Sequence, residues 1–176
     1  MRDLLLGREP KDFDVATDAR PEQVREVFRN CRLIGRRFRL AHVFFGSEIV
    51  EVATFRRMAV GTDDEDSQTE GGMILRDNVY GTIEEDALRR DFTINALYYE
   101  PVDEQIVDYV GGLDDVRRRR LRTLGDAEES FNEDPVRMIR ALKYASYTGF
   151  PIPMGMGKLI KRLRRGLLDC SRERVT

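Results

Sequence analysis

The chain has no tryptophan, a single histidine (His42) and two cysteines, Cys31 and Cys170, among its 176 residues. So few thiols and imidazoles exclude a structural zinc site and a disulfide framework. No apolar run approaches the roughly 20 residues of a membrane span, and the start MRDLLLGREP lacks the apolar stretch of a secretory signal. Excess charge is missing too. Thirty Lys and Arg stand against thirty-two Asp and Glu, a formal charge of -2, so any polyanion must be met by local clusters rather than by bulk charge. What is present is ordinary for a folded chain, with 41% hydrophobic and 35% charged residues. The length suits one compact domain or a little more, and the composition points to a reduced, cytoplasmic setting.

Hydrophobic spacing divides the chain softly near Gly125. Before it, RDLLLG reads as a helix, residues 12–17 (DFDVAT) as a short strand, and PEQVREVFRN as a helix opened by Pro21. Two β-branched and aromatic stretches follow, residues 39–45 and 48–55, with Gly46-Ser47 as the turn of a hairpin. From residue 56 to about 72 the pattern dissolves into DDEDSQTEGG, read as a mobile loop. EEDALRR reads as a short helix with acids first and arginines last, and FTINALYY and QIVDYV as strands. After Gly111-Gly112 the pattern is mostly helical. A mixed α/β part over residues 1–124 and a helical part over 125–176 are expected, with both ends cut.

Asp12 and Asp14 alternate with Phe13 and Val15, so in a strand the two carboxylates share one side. Like charges so close need a cation between them, and Mg²⁺ suits the site because it takes a few carboxylate oxygens and completes its shell with water and phosphate. The alternative is a solvated strand edge. Glu51 sits in the otherwise apolar IVEVATF, where a charge is costly unless it is paired or bound to metal. The alternatives there are pairing with Arg56 or Arg57, or an exposed edge position. Paired beside Asp12 and Asp14, it would complete a three-carboxylate site for two metals.

RDLLLGREPKDFDVAT, RRDFTINALYY and EDPVRMIRALKYASYTGF, in that order, resemble three signatures of the class II tRNA nucleotidyltransferase/poly(A) polymerase family. The resemblance implies an α+β fold, a palm-like head with a small mixed sheet followed by a helical neck. It implies template-independent addition of nucleotides to RNA 3′ ends with two Mg²⁺ ions. Asp12 and Asp14 would be the metal-binding pair, with Glu51 or Asp91 as the third acid. Arg2, Arg89 and Arg90 would serve triphosphate or ribose, with helix-end charge as the bland alternative for the last two. Asn95 would anchor ribose or serve the fold. Asp134 and Arg137 would read a base edge, Asp134 being also a natural N-cap before Pro135, and Arg140 would support them or touch phosphate.

Leu33, Ile34, Gly35, Arg36, Arg37, Phe38 and His42 resemble the polymerase-type signature of the family. That branch implies AMP transfer from ATP, with CCA addition as the near alternative and a non-catalytic RNA-binding fragment as the distant one. Arg36 and Arg37 would reach RNA or triphosphate, whereas His42 reads as a packed or edge histidine. The arginine run at 117–120 with Arg122 reads as a solvated connector rather than an RNA track, since no aromatic is interleaved for stacking. KLIKRLRR reads as an amphipathic neck helix with Leu159, Ile160 and Leu163 inward. The family's strand and Gly-Gly pair ahead of Arg2-Asp3 are missing, as is its further helical body, so weak activity is expected of this chain alone.

Overall fold

The computed structural model describes residues 1–35, 39–58, 69–70, 73–74, 80–171 and 174, with backbone only at 69–70 and 73–74. They form two compact units, Pro10–Arg89 and the pair of segments Met1–Glu9 with Arg90–Thr176. The boundary expected near Gly125 lies inside the second of these.

Pro10–Arg89 is built on a four-stranded mixed sheet in the order β1-β4-β3-β2, from β1 (Asp14–Thr17), β2 (Cys31–Ile34), β3 (Leu40–Phe45) and β4 (Glu48–Thr54). The hairpin expected around Gly46-Ser47 is β3–β4, antiparallel with Phe45 opposite Glu48; Gly46 takes a positive φ of 64°, which glycine adopts without steric cost. β1 lies parallel to β4. Pairing puts Val15, Val52, Ala41 and Leu33 on one side of the sheet, and α2 (Pro21–Val27) covers that side through Val24. An apolar cavity of about 590 Å³ lies there, lined by Val15, Val24, Phe28, Val43 and Phe45 among others. The unit also holds a two-stranded β5–β6 pair (Thr69–Glu70, Met73–Ile74) and α3 (Ile83–Leu88). Thr82 caps α3, its hydroxyl accepting from the N–H of Glu85 while Glu85 returns a bond to the N–H of Thr82.

The other unit has its own core of Phe92, Ile94, Leu121, Phe131, Met138, Ala141 and Phe150. Around it pack α1 (Arg2–Leu5), the β7–β8 hairpin (Leu97–Glu100, Gln105–Asp108), α4 (Gly112–Arg117), α5 (Ala127–Glu133), α6 (Val136–Thr148) and α7 (Met154–Leu163). In α7, Leu159, Ile160 and Leu163 turn to the core, as the spacing predicts, and Met156 joins them.

Two local readings change. Cys31–Ile34 is a strand, of which the sequence pattern marks only Leu33 and Ile34, as part of a signature. FTINALYY is not one strand: Phe92 makes a single bridge to Thr123, Thr93–Asn95 is a 3₁₀ turn, and the strand starts only at Leu97. The turn forms because its polar side chains find partners, the Thr93 hydroxyl donating to Asp115 Oδ2 at 2.7 Å and Asn95 Nδ2 to Asp91 Oδ1 at 3.1 Å. Among the described residues no helix is long and apolar enough to cross a membrane.

Candidate active site

β1 begins at Asp14 and Asp12 stands just before it, so only the second aspartate is held by sheet pairing. The register places Asp14 opposite Glu51, Glu51 opposite His42 and His42 opposite Arg32. Paired residues project to the same side, so one polar row crosses four strands on the face away from α2. His42 Nε2 stands 3.4 Å from Glu51 Oε2, which gives the histidine a partner that its packed or edge reading lacked. Asp12 and Asp14 are exposed.

Among the described residues no three Asp, Glu, His or Cys groups converge into a ready-made metal centre. That donor set does not suit an all-protein cage. It does fit a magnesium ion that keeps much of its water and shares its shell with phosphate, which needs only one or two carboxylates from the protein. Arg36 and Arg37 lie outside the described residues.

Arg89 follows α3 and is clasped by Asp86, which is 2% exposed, with Nε 2.9 Å and Nη2 2.8 Å from Oδ1. The same carboxylate oxygen accepts the N–H of Arg56 at 3.1 Å. Burial of the acid thus holds the arginine at a fixed height beside the helix end.

In the other unit, Arg90 lies over the Tyr98 ring with its guanidinium carbon 5.7 Å from the centroid. Asp91 is 7% exposed, and its Oδ2 is 2.7 Å from Nε of Arg140. Arg2 is largely buried, bonded to Asp3 at 2.8 Å and to Asn95 Oδ1 at 2.6 Å, and stacked over Tyr144 and Tyr147. Burial acts to raise the pKa of Asp3, but the Arg2 guanidinium and the Tyr147 hydroxyl outweigh it and hold the carboxyl below its ordinary value.

The acid–arginine pair of EDPVRMIR sits where α5 gives way to α6. Asp134 Oδ1 accepts the N–H of Val136 at 3.1 Å, the capping contact expected before Pro135, and its Oδ2 meets Arg174 at 2.8 Å. Arg137 reaches back one turn to Glu133 at 2.7 Å and to the Ser130 hydroxyl at 3.0 Å. Asp134 and Arg137 are therefore each steadied by other partners.

The arginine run after α4 is occupied internally, as a connector would be. Arg122 and Arg120 converge on Asp115, 1% exposed, at 2.8 and 3.6 Å. Arg118 pairs with Asp114 at 3.0 Å, and Arg119 lies over Phe150. On α7, Arg162 pairs with Glu128. Two anchors escaped the sequence reading: Asp86, which holds Arg89, and Asp115, which holds the run. Their signal was an acid three before an arginine and an acid inside a helix's first turn, both common on solvated helices.

Comparison with known proteins gives these geometries a context. Residues 1–122 match the poly(A) polymerase head domain. The chain is 56% identical over 172 residues to poly(A) polymerase I of Escherichia coli O157:H7, covering 96% of this chain and 37% of that protein. It is 36% identical over 176 residues to the CCA-adding enzyme of Bacillus licheniformis, covering 42% of that protein. The crystal structure of the Bacillus stearothermophilus CCA-adding enzyme in complex with CTP superposes with a TM-score of 0.81 at 34% identity, covering 99% of this chain and 40% of that one. The chain thus spans well under half the length of these relatives. With four carboxyl, imidazole and guanidinium side chains aligned across its sheet and a head-domain match over most of its length, the chain belongs to the poly(A) polymerase head-domain family of nucleotidyltransferases.

Proposed function

We propose that this chain forms the catalytic part of a template-independent RNA nucleotidyltransferase that transfers AMP from ATP to RNA 3′ ends in the cytoplasm. The observation that carries it is the register of β1 on β4, which sets Glu51 against Asp14. Asp12, Asp14 and Glu51 would hold two Mg²⁺ ions. When bound, the ions supply activation of the RNA 3′-hydroxyl and neutralisation of the departing pyrophosphate. Glu51 is favoured over Asp91 as the third acid because it shares the sheet face of Asp14, while Asp91 is buried against Arg140.

In this reading the new bond joins the 3′-oxygen to the α-phosphorus, the bond to pyrophosphate breaks, and the hydroxyl proton leaves to solvent or base. Arg2, Arg89, Arg90 and Arg140 offer guanidinium forks to phosphate or ribose, Asn95 anchors ribose, and Arg36 and Arg37 meet RNA or triphosphate. Asp134 accepts from an exocyclic amine and Arg137 donates to a ring nitrogen, so a base edge is read without a template. Transfer of AMP rather than completion of CCA is supported by the identity, 56% to poly(A) polymerases against 36% to a CCA-adding enzyme.

The test offers an RNA primer, Mg²⁺ and either ATP or CTP to this chain and to one extended upstream. Long tails from ATP alone are expected, stronger in the extended chain. Incorporation of CTP would instead indicate CCA addition. RNA binding without metal uptake or incorporation would indicate a binding fragment.

A further inference from the structure

Helix α7 and the residues just past it carry five cations, Lys158, Lys161, Arg162, Arg164 and Arg165, and no acid lies within Met154–Leu163. The apolar side of the helix, Met156, Leu159, Ile160 and Leu163, is packed on the core. Helical spacing puts Lys158 and Lys161 on the opposite side, where both are exposed. Arg165, in the 3₁₀ segment Arg164–Asp169 that follows, is exposed one turn further on. The other two cations are engaged within the fold. Arg162 pairs with Glu128 of α5, and Arg164 Nη1 donates to the carbonyl of Lys161 at 2.7 Å, which closes the helix end. Among the described residues no acid pairs with Lys158, Lys161 or Arg165.

Such a row is unfavourable by itself. Like charges three and four positions apart repel across a helix face, and no acid on α7 relieves them. The helix dipole accounts for cations in the last turn, Lys161 and Arg162, but its effect has faded at Lys158. The arginines after α4 supply the contrast, because there Asp114 and Asp115 answer Arg118, Arg120 and Arg122. A membrane surface would engage an amphipathic helix through its apolar side, and here that side is buried. A flexible polyanion laid along the row fits better. The helical rise sets one cation about every 5 Å along the axis, and long side chains can then reach successive phosphates.

We propose that Lys158, Lys161 and Arg165 form a surface that grips the backbone of single-stranded RNA, in addition to the residues assigned above to RNA and nucleotide. No aromatic is interleaved among them, so the grip is on phosphate and indifferent to base sequence. What distinguishes α7 from the run at 117–122 is therefore not stacking but charge that the described fold leaves unpaired. The proposal rests on RNA as the substrate class given above.

Fluorescence anisotropy across a salt series tests it, with the 176-residue chain and labelled oligoadenylate and oligouridylate of about 15 nucleotides. The triple variant Lys158→Gln/Lys161→Gln/Arg165→Gln is expected to bind both about tenfold more weakly at about 0.1 M salt. Its log–log salt slope should be smaller by about 2, the counterion release of three phosphates. A charge-matched control, Arg25→Gln/Arg29→Gln/Lys143→Gln, neutralises three exposed cations elsewhere and should stay within about twofold of the parent. Lys158→Gln alone should weaken both RNAs about two- to threefold and melt no lower than the parent, because it relieves repulsion beyond the reach of the dipole. An unchanged slope in the triple variant, a loss confined to one oligonucleotide, an equal loss in the control, or a lower melting temperature for Lys158→Gln would each overturn the proposal. Binding to phosphatidylglycerol vesicles that the triple variant loses while its RNA affinity stays intact would overturn it in favour of a lipid surface. If the parent binds neither RNA, the reading of RNA as substrate falls with it; if the parent binds and the triple variant loses nothing, the α7 surface alone falls.

Discussion

The sheet face of one compact unit and the core of the other treat charge in opposite ways. On the open sheet face of Pro10–Arg89, Asp14, Glu51 and His42 are joined by register more than by direct bonds, with exposed Asp12 just ahead of β1. In the unit of Met1–Glu9 and Arg90–Thr176, acids are sunk among arginines: Asp91 on Arg140, Asp115 on Arg120 and Arg122. An acid left in water can take up a cation at little cost to the fold. An acid enclosed by guanidinium groups holds segments together, and its removal leaves those arginines without their partner.

Substitution can sharpen that contrast, and the largest expected effect is functional. Asp14→Ala should abolish nucleotide incorporation in the extended chain while its melting temperature stays within experimental scatter; a large thermal shift would mean that Asp14 supports the fold after all. At Gly112, by contrast, an added Cβ would stand 2.2 Å from the backbone oxygen of Thr93, which cannot rotate away. Gly112→Ala should therefore cost about 3 kcal/mol in urea denaturation, and a neutral result would show that α4 can back away from the turn.

Asp108 offers a pH test within the same unit. Burial acts to raise its pKa, but the N–H groups of Leu113, Gly112 and Val110 outweigh it and hold the carboxyl below its ordinary value of 3.8. A depressed folded pKa contributes stability that is present above the unfolded value and lost as the pH falls through the folded one. Asp108→Asn should melt lower than the parent at pH 6, and the gap should close as the pH drops below about 3.8. A gap that does not narrow as the pH falls below 3.8 would point to shape rather than charge.

The smallest effect is expected at Thr82. Thr82→Ala removes the cap of α3 and should cost about 1 kcal/mol, read from chemical denaturation. A larger loss would show that α3, and with it the Asp86 grip on Arg89, depends on that cap more than a short exposed helix end should.

Much of the fold could be read locally. The β3–β4 hairpin, the helix opened by Pro21 and the inward face of α7 follow from alternation, turn chemistry and helical spacing. The DFD pair and the lone acid in IVEVATF were legible as a candidate site, because charge in an apolar strand asks for a reason. The strand at Cys31–Ile34 was not, since four residues give too little alternation to stand out. Nor was the 3₁₀ turn in FTINALYY, whose apolar content mimics a strand while Asp91, Asn95 and Asp115 supply bonds from both near and far in the chain.

Residue order alone determined which groups carry charge, where the chain must turn and which faces must leave water, since propensity and periodicity act over a few neighbouring positions. Which acid meets which partner was decided only in three dimensions. Whether Glu51 faces Asp14, or Asp91 meets Arg140, depends on strand register and helix packing, and a one-residue slip in β4 would carry Glu51 to the opposite side of the sheet.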